Sequence, residues 1–383
     1  SDISGVEKID RYTFSITLKK QYPQFIYWLA MPFFSPMPWE ADSFYSQPGL
    51  QKKNITLNWF PIGTGPFKLT ENNPNLKMVL EANKNFRGEV YPSRKDKIIN
   101  RKIIEHNNKK EVPFINKAIY SLEKEQIPRW NKFLQGYYDN SGIASDNYDQ
   151  AISLNNSGDI SLNKELEDKG IHLTTATSAS TYYIGFNMLD TVIGGSSERS
   201  KLLRQAISIA IDYDEYISIF ANGRGIIAQS PIPPGIIGYQ DGTNNYNKIL
   251  YKIKNGAVVK RSIDDAKILL TKAGYNNGID KKTGKPLILY FEATGAGADT
   301  YAFLNWLRKQ FKKINIQLVT RVTDYNRFQE KMINGTGQIF QWGWNADYPD
   351  PENFLFLLYG KNGKVKFGGE NASNYNSIKF DSL

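Results

Sequence analysis

Apolar residues alternate with polar ones at Tyr12, Phe14, Ile16 and Leu18, which predicts a half-buried strand near the start of the chain. The run YPQFIYWLAMPFF then predicts a short apolar helix, entered through Pro23 and closed near Pro32. A tight turn, GTGPFKL at 63–69, leads into the strand MVLEAN. Further on, the period lengthens to that of helices. Leu203, Ala206, Ile207 and Ala210 share one helical face, and Asp212 with Glu215 opens the next helix, with Gly223 at its end. Ser262 and Asp265 cap AKILLTKAG, which Gly274 closes. A strand at Leu287–Phe291, a helix with Phe303, Leu307 and Phe311 on one face, the strand INIQLV, a helix from Tyr325 capped by Asp324 and the strand QIFQWGW complete the pattern. Strands alternating with helices predict an α/β lobe.

A chain of 383 residues exceeds what one core usually fills, so two lobes are expected. Gly136 marks a helix end, and GIHLTTATSASTYYIGFNM at 170–188 is long and extended with a Ser/Thr/Ala-rich middle. It reads as a crossover near 175–182, dividing a first lobe at 1–178 from a second at 179–383.

Composition narrows the chemistry. With no cysteine, thiolate zinc sites, iron–sulfur clusters and cysteine nucleophiles are excluded. The two histidines, His106 and His172, lie in different contexts and read as surface or structural residues. The net charge is +10, but its densest run, Arg87 to Lys110, reads as a solvated loop, and no groove-reading or stacking module accompanies it. Nucleic acid is therefore not an expected partner. Neither GTG at 63–65 nor TGAGAD at 294–299 has the residues a phosphate loop or dinucleotide turn needs, and no cofactor is expected. No apolar window spans a membrane, and no signal peptide is visible.

The aromatic content of 13% points to ligands gripped by ring faces as well as to a large core. QWGWNADYPDPENF at 341–354 concentrates it at the end of a strand, where open α/β sheets hold ligands. Trp342 and Trp344 point the same way, because side chains alternate along a strand. Gly343 leaves the backbone open to close approach. Asp347 sits in the following loop, where its carboxylate can face a ligand. The competing reading is that Asp347 and Asp350 cap the turn and the helix behind Pro351 and that the tryptophans are core; Asp350 fits it better than Asp347.

GWNADYPDPENFL, SIDDAKILLTKAGY, TYYIGFNM followed by RSKLLRQAISIAIDYDEYISIFANGRGIIAQSPIPPG, and GTGPFKL followed by LEANKNFRG stand in an order that closely resembles the extracellular solute-binding proteins of the oligopeptide and dipeptide type. The resemblance implies a two-lobed, periplasmic-binding-protein-like α/β architecture of the class II type with mixed sheets. It implies a periplasmic or cell-surface location, a monomer, and the membrane permease of an ABC importer as partner. It also implies that Asp347 pairs with the ammonium of a peptide or peptide-like ligand, and that Gly343 and Asn345 offer main-chain hydrogen bonds to it. Trp342, Trp344 and Tyr348 are candidate walls; Tyr182, Tyr183 and Asn187 are weaker ones, for which strand packing is the competing role. Where some oligopeptide binders carry an arginine, this strand has Gln341 and Trp342. Relatives begin with a further segment of the first lobe and continue with a return to it. The chain is therefore expected to be a fragment with an incomplete first lobe.

Two other readings compete. An oligosaccharide binder of the same family would use the aromatic rings as sugar platforms. A glycan or peptide hydrolase would pair Asp347 with Asp350 or Glu352, but the Pro-Asp-Pro run holds those carboxylates in fixed, diverging directions. A non-enzymatic role is expected.

Overall fold

The computed structural model describes residues 4–91, 105–154, 160–242, 246–295 and 297–382. Most of the basic run, and Ala296 of the glycine-containing turn, lie outside the described residues. The chain divides into two compact units, Ser1–Tyr138 and Asp139–Leu383. The division by compactness thus falls at 138/139, and residues 139–178, expected in the first lobe, group with the second unit.

The first unit is built on a three-stranded antiparallel sheet of β1 (Phe67–Asn73), β2 (Lys77–Ala82) and β3 (Lys117–Ser121), in that order. Val79 is buried in its middle strand. The predicted strand around Phe14 is only Phe14–Ile16, paired with Val6–Lys8, and Tyr12, Phe14, Ile16 and Leu18 are all exposed. Alternation in sequence separates two faces of a strand; it does not supply something for either face to pack against. The predicted helix after Pro23 covers five residues, Phe25–Leu29, before a 3₁₀ turn at Pro32–Phe34.

The second unit follows the pattern read from its sequence. Its sheet holds β4 (Ser180–Phe186), β5 (Ile288–Thr294), β6 (Gln317–Thr323) and β7 (Ile339–Asn345), in the order β4-β7-β5-β6. β5 runs parallel to both β6 and β7, whereas β4 pairs antiparallel with β7, so the sheet is mixed. No helix or strand forms from 171 to 179, ahead of β4.

Local capping sets the helix boundaries. Ser197 accepts the Ser200 N–H at the start of α1 (Glu198–Ala210), and Asp212 accepts that of Glu215 in α2 (Tyr213–Phe220). A reciprocal Ser262–Asp265 capping box opens α3 (Ile263–Lys272). Gly274, past its end, takes φ +81°, a left-handed value that a glycine adopts without penalty. α4 (Ala298–Lys312) links β5 to β6, and α5 (Tyr325–Ile333), capped by Asp324, links β6 to β7.

The sheet's two faces bury different clusters. Leu203, Ile207, Leu289, Phe291, Leu304, Leu307, Phe311 and Ile339 form the main core with α1, α3 and α4. Phe340, one residue along β7, turns to the other face and packs with Phe328, Met332 and Ala372. Beneath α5, Glu292 is 1% exposed; Lys331 at 2.5 Å and Arg321 at 3.3 Å neutralise it. None of the helices among the described residues is long and apolar enough to cross a membrane.

Candidate functional site

β7 is flanked on one side along its whole length and on the other along only a part. Against β4 the register runs from Phe186↔Ile339 to Ser180↔Asn345. Against β5 only Ile339 and Phe340 are paired, opposite Phe291 and Glu292. Among the described residues, no strand pairs with the β5 side of β7 at 343–345.

The phase of the ladder decides which main-chain groups that leaves open. The Asn187 N–H donates to Gln338 O at 2.9 Å, and the Ala346 N–H donates to Ala179 O at 2.9 Å. In an antiparallel pair such bonds recur every second residue. The even-numbered residues of β7 therefore direct N–H and C=O at β4. Gly343 and Asn345 direct theirs at the open side.

Glycine at 343 has a steric reason. The ring of Tyr182, directly across the ladder, lies over it, and a Cβ at 343 would stand 2.4 Å from Tyr182 Cδ1. The backbone at 343 is thus open along its edge, while the position of its missing side chain is filled by Tyr182. The same device recurs one turn of the pleat away on the opposite face, where the Phe340 ring lies 2.4 Å from the place of a Cβ on Gly185.

Trp342 and Trp344 share the face of Phe340, as their spacing predicts. Trp342 is half-buried, edge-to-face with Phe328 at 5.3 Å, and Lys364 Nζ stands 5.4 Å above it. Trp344 meets Phe356 edge-to-face at 5.2 Å. Tyr183 lies 6.4 Å from Phe340; burial first, and Glu370 second, push its hydroxyl up to about 12. Asn187 is buried, with its amide donating to Gly335 O at 2.9 Å and Gly337 O at 2.8 Å. The structure therefore gives Asn187 the work of closing the turn before β7, and Tyr183 a place in the smaller core. Tyr348 is 6% exposed, its hydroxyl 3.5 Å from Glu352 Oε2. Asn345 is exposed and accepts from Ser180 Oγ at 2.6 Å.

The two aspartates of the loop separate. Asp350 Oδ1 accepts the Glu352 N–H at 2.8 Å, the turn-capping role that its prolines suggested. Asp347 is exposed, and among the described residues no lysine or arginine pairs with it. One oxygen, Oδ2, is held at 3.1 Å by the side chain of Asn353, and the Asp347 N–H donates to Asn353 Oδ1 at 2.7 Å. Trp344 Nε1 donates to that same Oδ1 at 3.2 Å. Sequence reasoning passed over Asn353, which stands in the first turn of the short helix Glu352–Leu355 behind the loop. Asn353 is 2% exposed. The arrangement offers an exposed carboxylate two residues past an open main-chain edge, and among the described residues no group of His, Cys, Asp or Glu is placed to hold a metal.

Residues 1–366 match the family described as "Bacterial extracellular solute-binding proteins, family 5 Middle". The chain is 25% identical to heme-binding protein A of Haemophilus influenzae, over all of this chain and 58% of that protein. It is 23% identical to the dipeptide-binding protein of Escherichia coli, over 97% of this chain and 58% of that one. It therefore spans less than two thirds of the length of these relatives. The fold is similar to that of the ABC transporter-associated periplasmic binding protein of Helicobacter pylori solved with the peptide STSA, with a TM-score of 0.72 and 22% identity over 99% of this chain and 61% of that one. By its sequence match over nearly all of its length, the chain belongs to the bacterial extracellular solute-binding proteins of family 5.

Proposed function

We propose that the chain is part of the substrate-binding component of an ABC importer, and that it captures a peptide or peptide-like solute for delivery to a membrane permease. The observation that carries this reading is the open edge of β7. Main-chain groups of Gly343 and Asn345 are directed away from β4 at a place where β5 no longer pairs, and the Asp347 carboxylate follows at the strand's end. An extended peptide adds to such an edge as a further strand. Its affinity then comes from backbone bonds that do not read side chains, and its direction is fixed by a charge at one end. Asp347 accepts the terminal ammonium. The relatives named for dipeptides and the neighbour solved with a peptide support the same ligand class. A periplasmic or cell-surface location and a monomeric state go with this role.

The rival chemistries have less to stand on. Asp350 is engaged in the turn, and Glu352 Oε2 lies 3.5 Å from the Tyr348 hydroxyl, so neither carboxylate is paired with Asp347 for acid–base work. Trp342 is hemmed by Phe328, Phe340 and Lys364, which leaves little free ring face for a sugar.

Titration calorimetry with trialanine, N-acetyl-trialanine, cellotriose and haemin tests the proposal; haemin is included because one relative is named for heme. Trialanine binding best, and acetylation weakening it, is the expected order. Binding of cellotriose or haemin with none of trialanine overturns it.

A further inference from the structure

The side chain of Asn353 touches three groups of the candidate site at once. Its Oδ1 accepts from the Asp347 N–H at 2.7 Å and from Trp344 Nε1 at 3.2 Å, while its Nδ2 donates to Asp347 Oδ2 at 3.1 Å. It is itself almost wholly buried, and its main-chain N–H is fixed to Asp350 O at 3.1 Å. Phe354 and Leu357, which follow it, are buried apolar residues, whereas Asn353 buries an amide. A buried amide is costly unless its hydrogen bonds are made, and here its side chain makes them to Asp347 of the loop and to Trp344 at the end of β7.

The geometry constrains Asp347 twice. The bond to its N–H sets the backbone of the loop as it leaves β7, and the bond to Oδ2 sets the rotation of the carboxylate. With Oδ2 turned inward on Asn353, Oδ1 is the oxygen directed elsewhere. An exposed aspartate without such a brace samples several rotamers, and a ligand must then offset the cost of selecting one. The third bond ties the Trp344 indole to the same oxygen, so a change in the loop at Asp347 is felt at a tryptophan on the strand.

We propose that Asn353 is the positioning residue of the ammonium site: it holds Asp347 with one carboxylate oxygen braced and the other presented, and it couples that carboxylate to the indole of Trp344. This rests on the peptide-binding reading above. It adds that the preference for a charged amine is set by a residue that does not itself touch the ligand.

The test compares wild type with Asn353→Leu, which keeps the volume and removes all three bonds. Asn353→Ser, too short to reach both partners, serves if the leucine variant does not fold. In the ligand-free protein, amide exchange at Asp347 is expected to rise about tenfold and the Trp344 indole N–H resonance to move. With ligand, the wild-type preference for trialanine over N-acetyl-trialanine is expected to fall about tenfold in the variant, while affinity for the acetylated peptide stays within about twofold. A merely structural role would weaken both peptides alike, and that outcome overturns the proposal. An unchanged preference, or unchanged exchange at Asp347, overturns it too and leaves the peptide-binding reading standing. A wild-type protein that does not distinguish the two peptides removes the role of Asp347, and this proposal with it.

Discussion

The ring of Tyr182 occupies the space that a side chain at Gly343 would need. The two residues face each other across the β4–β7 ladder, with 2.4 Å between Tyr182 Cδ1 and the place of a Cβ on residue 343. The contact joins an exposed tyrosine to the backbone position proposed to bind ligand. An aromatic ring laid over a cross-strand glycine shields that strand while adding no bulk to its edge.

Gly343→Ala is therefore expected to displace the ring and to destabilise the second unit by about 1 kcal/mol, the cost of an off-rotamer side chain. In a Tyr182→Ala background the same change is expected to be neutral or stabilising, because alanine is better than glycine in a strand that has room for it. Urea denaturation of the four members of this cycle measures the coupling, and additivity would show that the ring and the glycine are independent.

Asp347→Asn is expected to weaken an amine-bearing tripeptide about 10- to 100-fold, since a charge-assisted hydrogen bond contributes roughly 1.5–3 kcal/mol. Asp347 is exposed, so unfolding should shift by less than about 0.5 kcal/mol. Calorimetry showing equal affinity for variant and wild type would remove the residue from the site.

Glu292→Ala should behave in the opposite way. The carboxylate is buried between Lys331 and Arg321 at the point where β5 leaves β7, and its loss strands two cations. A destabilisation of about 3 kcal/mol is expected, the lower end for a broken buried pair because both cations retain some access to water. A change under about 1 kcal/mol in urea denaturation would mean that solvent takes over the carboxylate's role.

Acid should find the α3 cap. The Lys252 ammonium, at 2.6 Å, and after it the Ser262 N–H hold the Asp265 carboxyl at about 2, below its ordinary 3.8. Because the folded value lies under the unfolded one, this stabilisation is complete above about pH 4 and is lost as the pH falls toward about 2. In Asp265→Asn the unfolding free energy should vary less with pH over that window, read from urea midpoints at several pH values. An identical acid limb in both proteins would place the sensitivity elsewhere.

What could be read from the sequence is what is decided locally. Asp212, Ser262 and Asp324 announce their helices within one turn, and the caps form at those residues. The common face of Trp342 and Trp344 follows from the pleat alone. The exposure of Tyr12, Phe14, Ile16 and Leu18 could not be read, because burial depends on a partner that alternation does not specify. Nor could the role of Asn353, whose three bonds depend on a loop folding back on its own strand. The end of the β5–β7 pairing at Phe340 is likewise hidden, since it is set by how far two strands separated by α4, β6 and α5 stay side by side.

That early parting makes β7 a cantilever. At Ile339 and Phe340 it is clamped between two neighbours; beyond them, among the described residues, β4 is the one strand that pairs with it. The projecting residues are already straightened and already twisted to receive a second neighbour, so an incoming chain need not meet the cost of shaping them. A guest strand on the β5 side would do for Gly343 and Asn345 what β5 does for Ile339, and it would do so whatever its own side chains were.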